Sequence, residues 1–458
     1  MGFRKALFSL IVTLFAVGAL YAQPADEARP RNVILFVSDG CGPASFTLAR
    51  DYVRYKGGGD ALAIDPLQVG SIHTYSTNSR VTDSAAGATA FACGVKTYNG
   101  AIAVDTLRQP MATILEAAEA RGMATGLVAT SSMTHATPAS FSAHVHNRGM
   151  VTIIAAQQME QGIEVMFGGG VEDFLPKSQG GNRGDERNLL EEAAAKGYQV
   201  VRDREAFLGV EETPVLGLFS EGQMDYDIDR DPEQQPSLAE MTVRAIDLLK
   251  GDPDGFFLMV EGSRIDHAAH GNDAAAHLRD VLAFDKAVAA ALDFARQDGQ
   301  TLLVSTSDHE TGGLSLGRNV DGQPKYTWNP EVIEKIPASH EGLAAIARNE
   351  RLMPCDVLEQ YAEIECTEAE VAEFAQAIAG QTDFNFLLAE VISRRVWVGW
   401  TSSGHTAVDV NLYAFGPGRD RFIGHHDNTA VGQLLAEIMG FDLQAMTEAM
   451  RQEAAGSR

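Results

Sequence analysis

Two short segments carry carboxylate and imidazole side chains at spacings that suit a metal ion. In EGSRIDHAAH (261–270), Asp266 and His270 are four residues apart and would share one face of a helix. In a second segment, Asp308 and His309 are adjacent. Zinc takes imidazole nitrogen and carboxylate oxygen as ligands. Each pattern alone is also compatible with an ordinary surface pair, so the argument depends on whether further ligands join them.

Three more residues are candidates to complete such a site. Asp39 lies in the sequence DGCG, whose glycines allow a metal or a phosphate to approach the backbone closely. His405 follows a Ser-Ser-Gly turn. Ser84 precedes a run of small, helix-favouring residues, so it would lie at a helix N-terminus, where free N–H groups favour a phosphate. The alternative is that Thr82 or Asp83 serves only as a helix cap.

The elements that would position these residues are apolar strands alternating with helices. We predict strands at 32–38, 125–129, 256–260, 302–305 and 410–415, and helices that include 111–120, 238–249 and 274–296. Fully apolar strands in this alternation predict an α/β fold with a mainly parallel central sheet and helices on both faces. Asp39, Glu261, Asp308 and His309 follow the ends of predicted strands, at the edge where such sheets bind ligands.

The chain of 458 residues has a formal net charge of −26, which argues against nucleic acid as a specific partner. An anionic substrate would therefore need local positive charge from metal ions and an arginine.

The first 22 residues have the layout of a secretory signal peptide. Arg4 and Lys5 precede an apolar stretch from Ala6 to Leu20, and the small residue Ala22 occupies the cleavage position. A membrane anchor is the alternative, but the stretch is short for a span. We therefore expect a periplasmic or secreted protein without stable membrane insertion after cleavage.

Residues 23–458 are predicted to form one domain, with an insertion at about 319–401 near the active-site edge. This segment has a different, helical texture. It contains Cys355 and Cys366, for which an exported chain favours a disulfide. Cys41 and Cys93 lie in Gly- and Ala-rich segments and are expected to be buried and free.

Six ordered motifs resemble those of the alkaline phosphatases, from near Arg31 to near Leu435, with the weakest match in 319–401. The motifs are VILFVSDGCG, VTDSAAGATAFACGVKTYNG, HATPASFSAHVHNR, FLMVEGSRIDHAAH, STSDHETGG and SSGHTAVDV. The resemblance implies an alkaline-phosphatase-like fold and hydrolysis of small phosphate monoesters through a covalent phosphoserine on Ser84. It also implies a homodimer.

The resemblance further implies ligands for three ions. The ligand sets are Asp266, His270 and His405 for one zinc ion, Asp39, Asp308 and His309 for a second zinc ion, and Asp39, Thr137 and Glu261 for a third ion, usually magnesium. The second zinc ion would also bind the Ser84 oxygen, and Arg148 would hold two phosphate oxygens with its planar fork.

Two positions depart from the best-known enteric bacterial pattern, which has an aspartate and a lysine where this chain has His135 and His267. Histidines at these positions resemble the animal enzymes and some other bacterial members. His267 would contact the phosphate through water, and His135 would lie beside the third ion. Asp83, next to Ser84 in the sequence, is expected to contact the substrate or the residues that bind it.

The alternative functions are a phosphodiesterase of the same superfamily and a non-catalytic binder. A phosphodiesterase of the same superfamily need not have the Thr137 and Glu261 ion site or Arg148. A sulfatase would need Cys or Ser followed by Pro and Arg, and the residues after Ser84 lack both. A non-catalytic exported binder of metal or phosphate would not require a nucleophile.

Overall fold

The computed structural model describes residues 29–320, 322–380 and 384–456. The predicted signal peptide, Met1–Ala22, lies outside them. The strands, in chain order, are β1 (Asn32–Val37), β2 (Gln68–His73), β3 (Ala124–Ser132), β4 (Val165–Gly169), β5 (Gln199–Val201), β6 (Val215–Leu218), β7 (Phe256–Glu261), β8 (Thr301–Thr306), β9 (Glu310–Thr311), β10 (Ser315–Leu316), β11 (Asn319–Val320), β12 (Gln323–Pro324), β13 (Val398–Gly399), β14 (His405–Thr406), β15 (Val410–Phe415) and β16 (Gly424–Asp427).

Helices cover both faces of the main sheet. In chain order they are α1 (Pro43–Tyr55), α2 (Ser84–Cys93), α3 (Ile114–Ala120), α4 (Ala136–Ser142), α5 (Val151–Gln161), α6 (Val171–Phe174), α7 (Leu189–Ala195), α8 (Arg204–Leu208), α9 (Leu238–Leu249), α10 (Arg264–His270), α11 (Ala274–Asp298), α12 (Pro330–Glu334), α13 (His340–Glu350), α14 (Pro354–Ala362), α15 (Glu368–Ile378), α16 (Phe384–Val396), α17 (Thr429–Met439) and α18 (Leu443–Gly456). None of these described helices is long and apolar enough to cross a membrane.

Ten strands form one sheet in the order β16-β2-β15-β8-β1-β7-β3-β4-β6-β5. Strand β1 lies at its centre and pairs in parallel with β7 and β8, so that Val37 is level with Glu261 and Thr306. Strand β15 runs antiparallel to β8 and β2. The prediction of an α/β fold with a mainly parallel sheet is confirmed.

The two faces of β1 belong to two separate hydrophobic layers. Ile34 and Phe36 pack in the layer that includes α1, α9 and α11. Val33, Leu35 and Val37 pack in the opposite layer, with α2, α3 and α17. Every residue of β1 is buried and all but Asn32 are apolar, so alternation gives each layer its share of the apolar side chains.

Residues 319–401 contain the helices α12 to α16 and lie between β10 and β14. Cys355 and Cys366 form a disulfide there, with Cα atoms 5.7 Å apart, as expected. Helix α16 packs against α11, so this segment is attached to the same layer of helices as the sheet. Cys41 and Cys93 are free and buried, also as expected.

Glu119 tests the packing at the start of β3, where it contacts Thr125. Its carboxylate accepts a hydrogen bond from the Thr125 hydroxyl, which also lies 3.1 Å from Glu164 Oε2. Burial raises the pKa of Glu119 to about 7, with a further contribution from Glu164. A carboxyl whose pKa is raised on folding stabilises the fold only at low pH, and that stability is lost as pH rises through about 7.

We therefore expect Glu119→Gln to raise the free energy of unfolding at pH 8 by about 1 kcal/mol, after allowance for its partial exposure, and by less at pH 5. Urea titrations at the two pH values measure the difference from wild type. Glu211→Gln, in an exposed loop, is the control and should change neither value. An equal gain from Glu119→Gln at both pH values would contradict the assignment.

Candidate active site

Ser84 is the first residue of α2, and its neighbour Asp83 caps the helix. The Ala86 N–H donates to Asp83 Oδ1 at 3.0 Å. The cap does not remove Ser84 from the site, because the Ser84 Oγ lies 3.2 Å from His309 Nε2. Helix α2 can approach Asp308 closely because it carries small residues. A Cβ added to Gly87 would lie 2.9 Å from the Asp308 Cβ.

Asp266, His270 and His405 form the first ligand cluster. The two imidazole Nε2 atoms lie 3.1 Å apart and are 3.3 and 3.7 Å from the carboxylate oxygens of Asp266. Each Nδ1 lies next to a backbone carbonyl: that of His270 is 2.6 Å from Ser403 O, and that of His405 is 2.9 Å from Thr82 O. A carbonyl can only accept, so both Nδ1 atoms carry a proton, and Nε2 is the nitrogen of each ring that faces Asp266.

Asp39, Asp308 and His309 form the second cluster, and all three are fully buried. The His309 Nε2 lies 3.2 Å from Asp308 Oδ2 and 3.6 Å from Asp39 Oδ1. The same nitrogen faces the Ser84 hydroxyl. The second cluster therefore meets the serine oxygen at His309.

Thr311 links the two clusters. Its hydroxyl donates to Asp266 Oδ1 at 2.6 Å and lies 3.2 Å from His309 Nδ1, which donates to it. The His309 and His405 rings also stack, with centroids 3.5 Å apart. The sequence prediction gave Thr311 no role. Thr311 lies in the motif STSDHETGG, two residues after His309, and this position is the signal that could have identified it.

A third group of buried atoms also includes the carboxylate of Asp39. The Glu261 Oε1, the Thr137 Oγ1 and both carboxylate oxygens of Asp39 are buried and have no hydrogen-bond partner among the described residues. The His135 Nδ1 lies 3.9 Å from Glu261 Oε1, and Asp39, His135 and Glu261 can direct one atom each toward a common point.

These unpaired atoms fit divalent cations. A buried polar atom without a partner is costly, and here five oxygens share that state: both of Asp39, and one each of Asp308, Glu261 and Thr137. Mixed nitrogen and carboxylate donors suit zinc in the first two clusters. The more oxygen-rich third group suits a harder ion such as magnesium.

The pKa values of the carboxyl groups reflect the same concentration of negative charge. Burial raises the pKa of Asp39 well above its usual value, and the charges of Asp308 and Asp266 add to the effect. Burial raises the pKa of Glu261 to about 7. For Asp266, burial also favours the neutral acid, but the hydrogen bond with His270 outweighs it and holds the pKa well below its usual value.

Arg148 is connected to the site through Asp83 and His135. Its Nη1 donates to Asp83 Oδ2 at 3.2 Å, and its Nη2 donates to His135 Nε2 at 3.0 Å. The Gly100 N–H also donates to Asp83 Oδ2, at 3.0 Å. Asp83 therefore caps α2 with one oxygen and holds Arg148 with the other. The His267 ring lies edge-on to His135, with centroids 5.4 Å apart.

The structure thus brings all thirteen residues expected from the sequence into one network at the carboxyl end of the sheet. Nine lie in or shortly after β1, β7, β8, α2, α4 and α10, and two, Asp83 and His135, directly precede α2 and α4. Arg148 lies in the loop between α4 and α5, and His405 lies on the short strand β14, which pairs with β9. Sequence reasoning missed Thr311 and, next to His267, Arg264.

Comparisons with known proteins agree with this arrangement. The family model described as alkaline phosphatase matches residues 30–441. The repressible alkaline phosphatase of Saccharomyces cerevisiae is 38% identical, over 96% of this chain and 87% of its own length. The crystal structure of Thermus thermophilus alkaline phosphatase superposes with a TM-score of 0.83 at 34% identity, covering 95% of this chain and 96% of that one. A mutant of the alkaline phosphatase from the Antarctic bacterium TAB5, described with Mg bound in its M3 site, has a TM-score of 0.67 at 28% identity, covering 91% of this chain and 99% of that one.

Metal binding should depend on pH in the protein stripped of metals. Glu261, with a pKa of about 7, and Asp39 must both lose their protons to act as ligands, so binding releases protons. We expect the magnesium affinity to fall by about tenfold or more per pH unit below pH 7, because the proton on Glu261 alone contributes a factor of ten. Isothermal titration calorimetry at pH 6 and pH 8 measures this fall.

The matched variant is Glu261→Gln, which cannot release the glutamate proton. Its magnesium binding should be weaker at pH 8 and should vary less with pH. Equal wild-type affinities at pH 6 and pH 8 would show that these carboxyl groups are not the ligands.

Proposed function

The chain belongs to the alkaline phosphatase family, and from that premise we propose that Ser84 is the nucleophile of its reaction. Membership makes the protein a metal-dependent enzyme that hydrolyses phosphate monoesters. The observation that carries the proposal is the position of the Ser84 Oγ, 3.2 Å from His309 Nε2 at the margin of the second ligand cluster.

We propose two zinc ions and one magnesium ion as cofactors. The zinc ligands are Asp266, His270 and His405 in one site and Asp39, Asp308 and His309 in the other, and the magnesium ligands are Asp39, Thr137 and Glu261. When bound, these ions would lower the pKa of the Ser84 hydroxyl and stabilise the leaving oxygen. The unpaired buried oxygens support both zinc and magnesium assignments.

The covalent steps use residues of the chain itself. The Ser84 oxygen attacks phosphorus, the bond from phosphorus to the ester oxygen breaks, and the alcohol leaves with a proton. Water then attacks the phosphoserine, which returns the serine hydroxyl and releases inorganic phosphate. Ser84 is 1% exposed, so the nucleophile itself is shielded from bulk water.

Arg148 would bind the phosphoryl group during both steps. Asp83 and His135 hold its guanidinium beside the start of α2, which restricts the side chain before substrate arrives. The planar fork can then donate two parallel hydrogen bonds to phosphate oxygens. The free N–H groups at the N-terminus of α2 add to the positive potential. These groups supply local positive charge in a chain of net charge −26.

Two features favour monoesters over the other functions considered. A diesterase has no need of the buried Thr137 and Glu261 oxygens or of Arg148, and all three adjoin Asp39 or Asp83 here. A non-catalytic binder has no need of a serine beside His309. We also propose a periplasmic or secreted location on the basis of Met1–Ala22, and a homodimer on the basis of the family resemblance.

The test replaces Ser84 with alanine. We expect Ser84→Ala to lower kcat for p-nitrophenyl phosphate by about 10³-fold or more, because no other side chain can replace the attacking oxygen. Ser178→Ala, in an exposed turn, is the control and should keep wild-type activity. Zinc content measured on both variants shows whether the site is intact.

Acid quenching during turnover of a phosphorus-32 substrate should leave label on the peptide that contains Ser84. Near wild-type activity of Ser84→Ala, with no label at Ser84 in the wild type, would rule out the covalent mechanism.

A further inference from the structure

Arg264, the first residue of α10, is a buried arginine beside the site that the reaction described above does not use. It is 7% exposed. Its guanidinium lies flat over the Tyr226 ring, 3.6 Å from the centroid, and its Nη2 lies 3.2 Å from a Glu341 oxygen. Its Nη1 lies 3.1 Å from His267 Nδ1. The Nε has no partner among the described residues. Burying a cation with incomplete pairing is costly, which calls for a reason.

The contact with His267 fixes where that ring carries its proton. An arginine has only N–H donors and no acceptor. The His267 Nδ1 must therefore accept from Arg264, and the proton of the neutral ring must be on Nε2. The opposite tautomer would set two N–H groups against each other at 3.1 Å.

The His267 ring contacts His135 as well as Arg264. It meets His135 edge-on, with an interplanar angle of 77°, and His135 is the residue that accepts from Arg148. Arg264, His267, His135 and Arg148 thus form a continuous row along the margin of the site. The contact with Arg264 occupies the Nδ1 of His267 and leaves its Nε2–H free to donate.

We propose that Arg264 is a positioning residue that holds His267 with its proton on Nε2, ready to donate to a phosphoryl oxygen directly or through one water molecule. The proposal rests on the function proposed above and on the contact between His267 and phosphate that the family resemblance implies. Tyr226 and Glu341 determine the orientation of the Arg264 guanidinium, because it lies over the aromatic ring of Tyr226 and beside the carboxylate of Glu341.

The geometry explains why the residue is an arginine. One planar group stacks on Tyr226 through its face while two of its edges serve His267 and Glu341. A lysine ammonium could donate to His267 but could not stack in the same way. Glu341 belongs to α13, so the segment 319–401 contributes to the orientation of His267.

The test is a double-mutant cycle of Arg264→Met and His267→Ala on the zinc-loaded enzyme. The readouts are kcat/KM for p-nitrophenyl phosphate and the inhibition constant of inorganic phosphate. We expect Arg264→Met to lower kcat/KM by about tenfold when His267 is present, and to cause no further loss in the His267→Ala background. The inhibition constant of phosphate should rise in parallel. Arg264→Lys should recover part of the loss.

Arg279→Met is the matched control. Arg279 also lies over a tyrosine ring, that of Tyr52 at 5.0 Å, so its replacement removes a similar stacked cation. It should leave kcat/KM unchanged. If Arg264→Met does not fold, the same cycle with Arg264→Lys decides, with a smaller expected loss that again disappears when His267 is absent.

Additive losses in the cycle would overturn the proposal, because Arg264 would then act independently of His267. Wild-type kcat/KM in Arg264→Met would overturn it as well. If His267→Ala alone keeps full activity, the contact between His267 and phosphate is wrong and the proposal fails with it, while the role of Ser84, tested separately by phosphoserine labelling, is unaffected.

Discussion

The central constraint on this structure is the burial of four carboxylates at one edge of a sheet. Asp39, Glu261, Asp266 and Asp308 are each at most 3% exposed. Such a group of like charges is unstable without cations, and burial together with mutual repulsion raises the pKa of Asp39 and Glu261. Neighbouring histidines outweigh the effect of burial at Asp266 and Asp308 and lower the pKa of these two carboxyl groups. The remaining unpaired oxygens are what make the site a receptor for divalent ions.

The fold creates this concentration through the register of three strands. Strand β1 lies between β7 and β8, so the acidic residues that end or follow these strands emerge side by side. Close approach then requires residues without side chains. Gly40, at φ +70°, leaves room for Asp266, and a Cβ there would lie 2.7 Å from its Oδ1. The helix that carries Ser84 approaches Asp308 at Gly87 for the same reason.

Much of this arrangement could be predicted from the sequence, because the strands that matter are buried on both faces. An apolar run such as 256–260 followed by Glu261 indicates both the strand and the position of its acidic residue. The ordered motifs then indicated which distant ligands would meet. The antiparallel direction of β15 was not predicted, since a buried strand has the same composition in either direction. The roles of Thr311 and Arg264 were missed because each depends on a contact made only in the folded chain, with Asp266 and with Tyr226.

The positively charged part of the site is also held in place by a neighbouring side chain. Asp83 caps the helix of Ser84 and orients Arg148, so the nucleophile and the phosphate-binding group share one support.

The most direct measurement of the central claim is anomalous X-ray diffraction at the zinc absorption edge from crystals of the purified protein. The account predicts two zinc peaks, one among Asp266, His270 and His405 and the other among Asp39, Asp308 and His309, next to the Ser84 oxygen. Zinc peaks absent from either cluster in active crystals would contradict it.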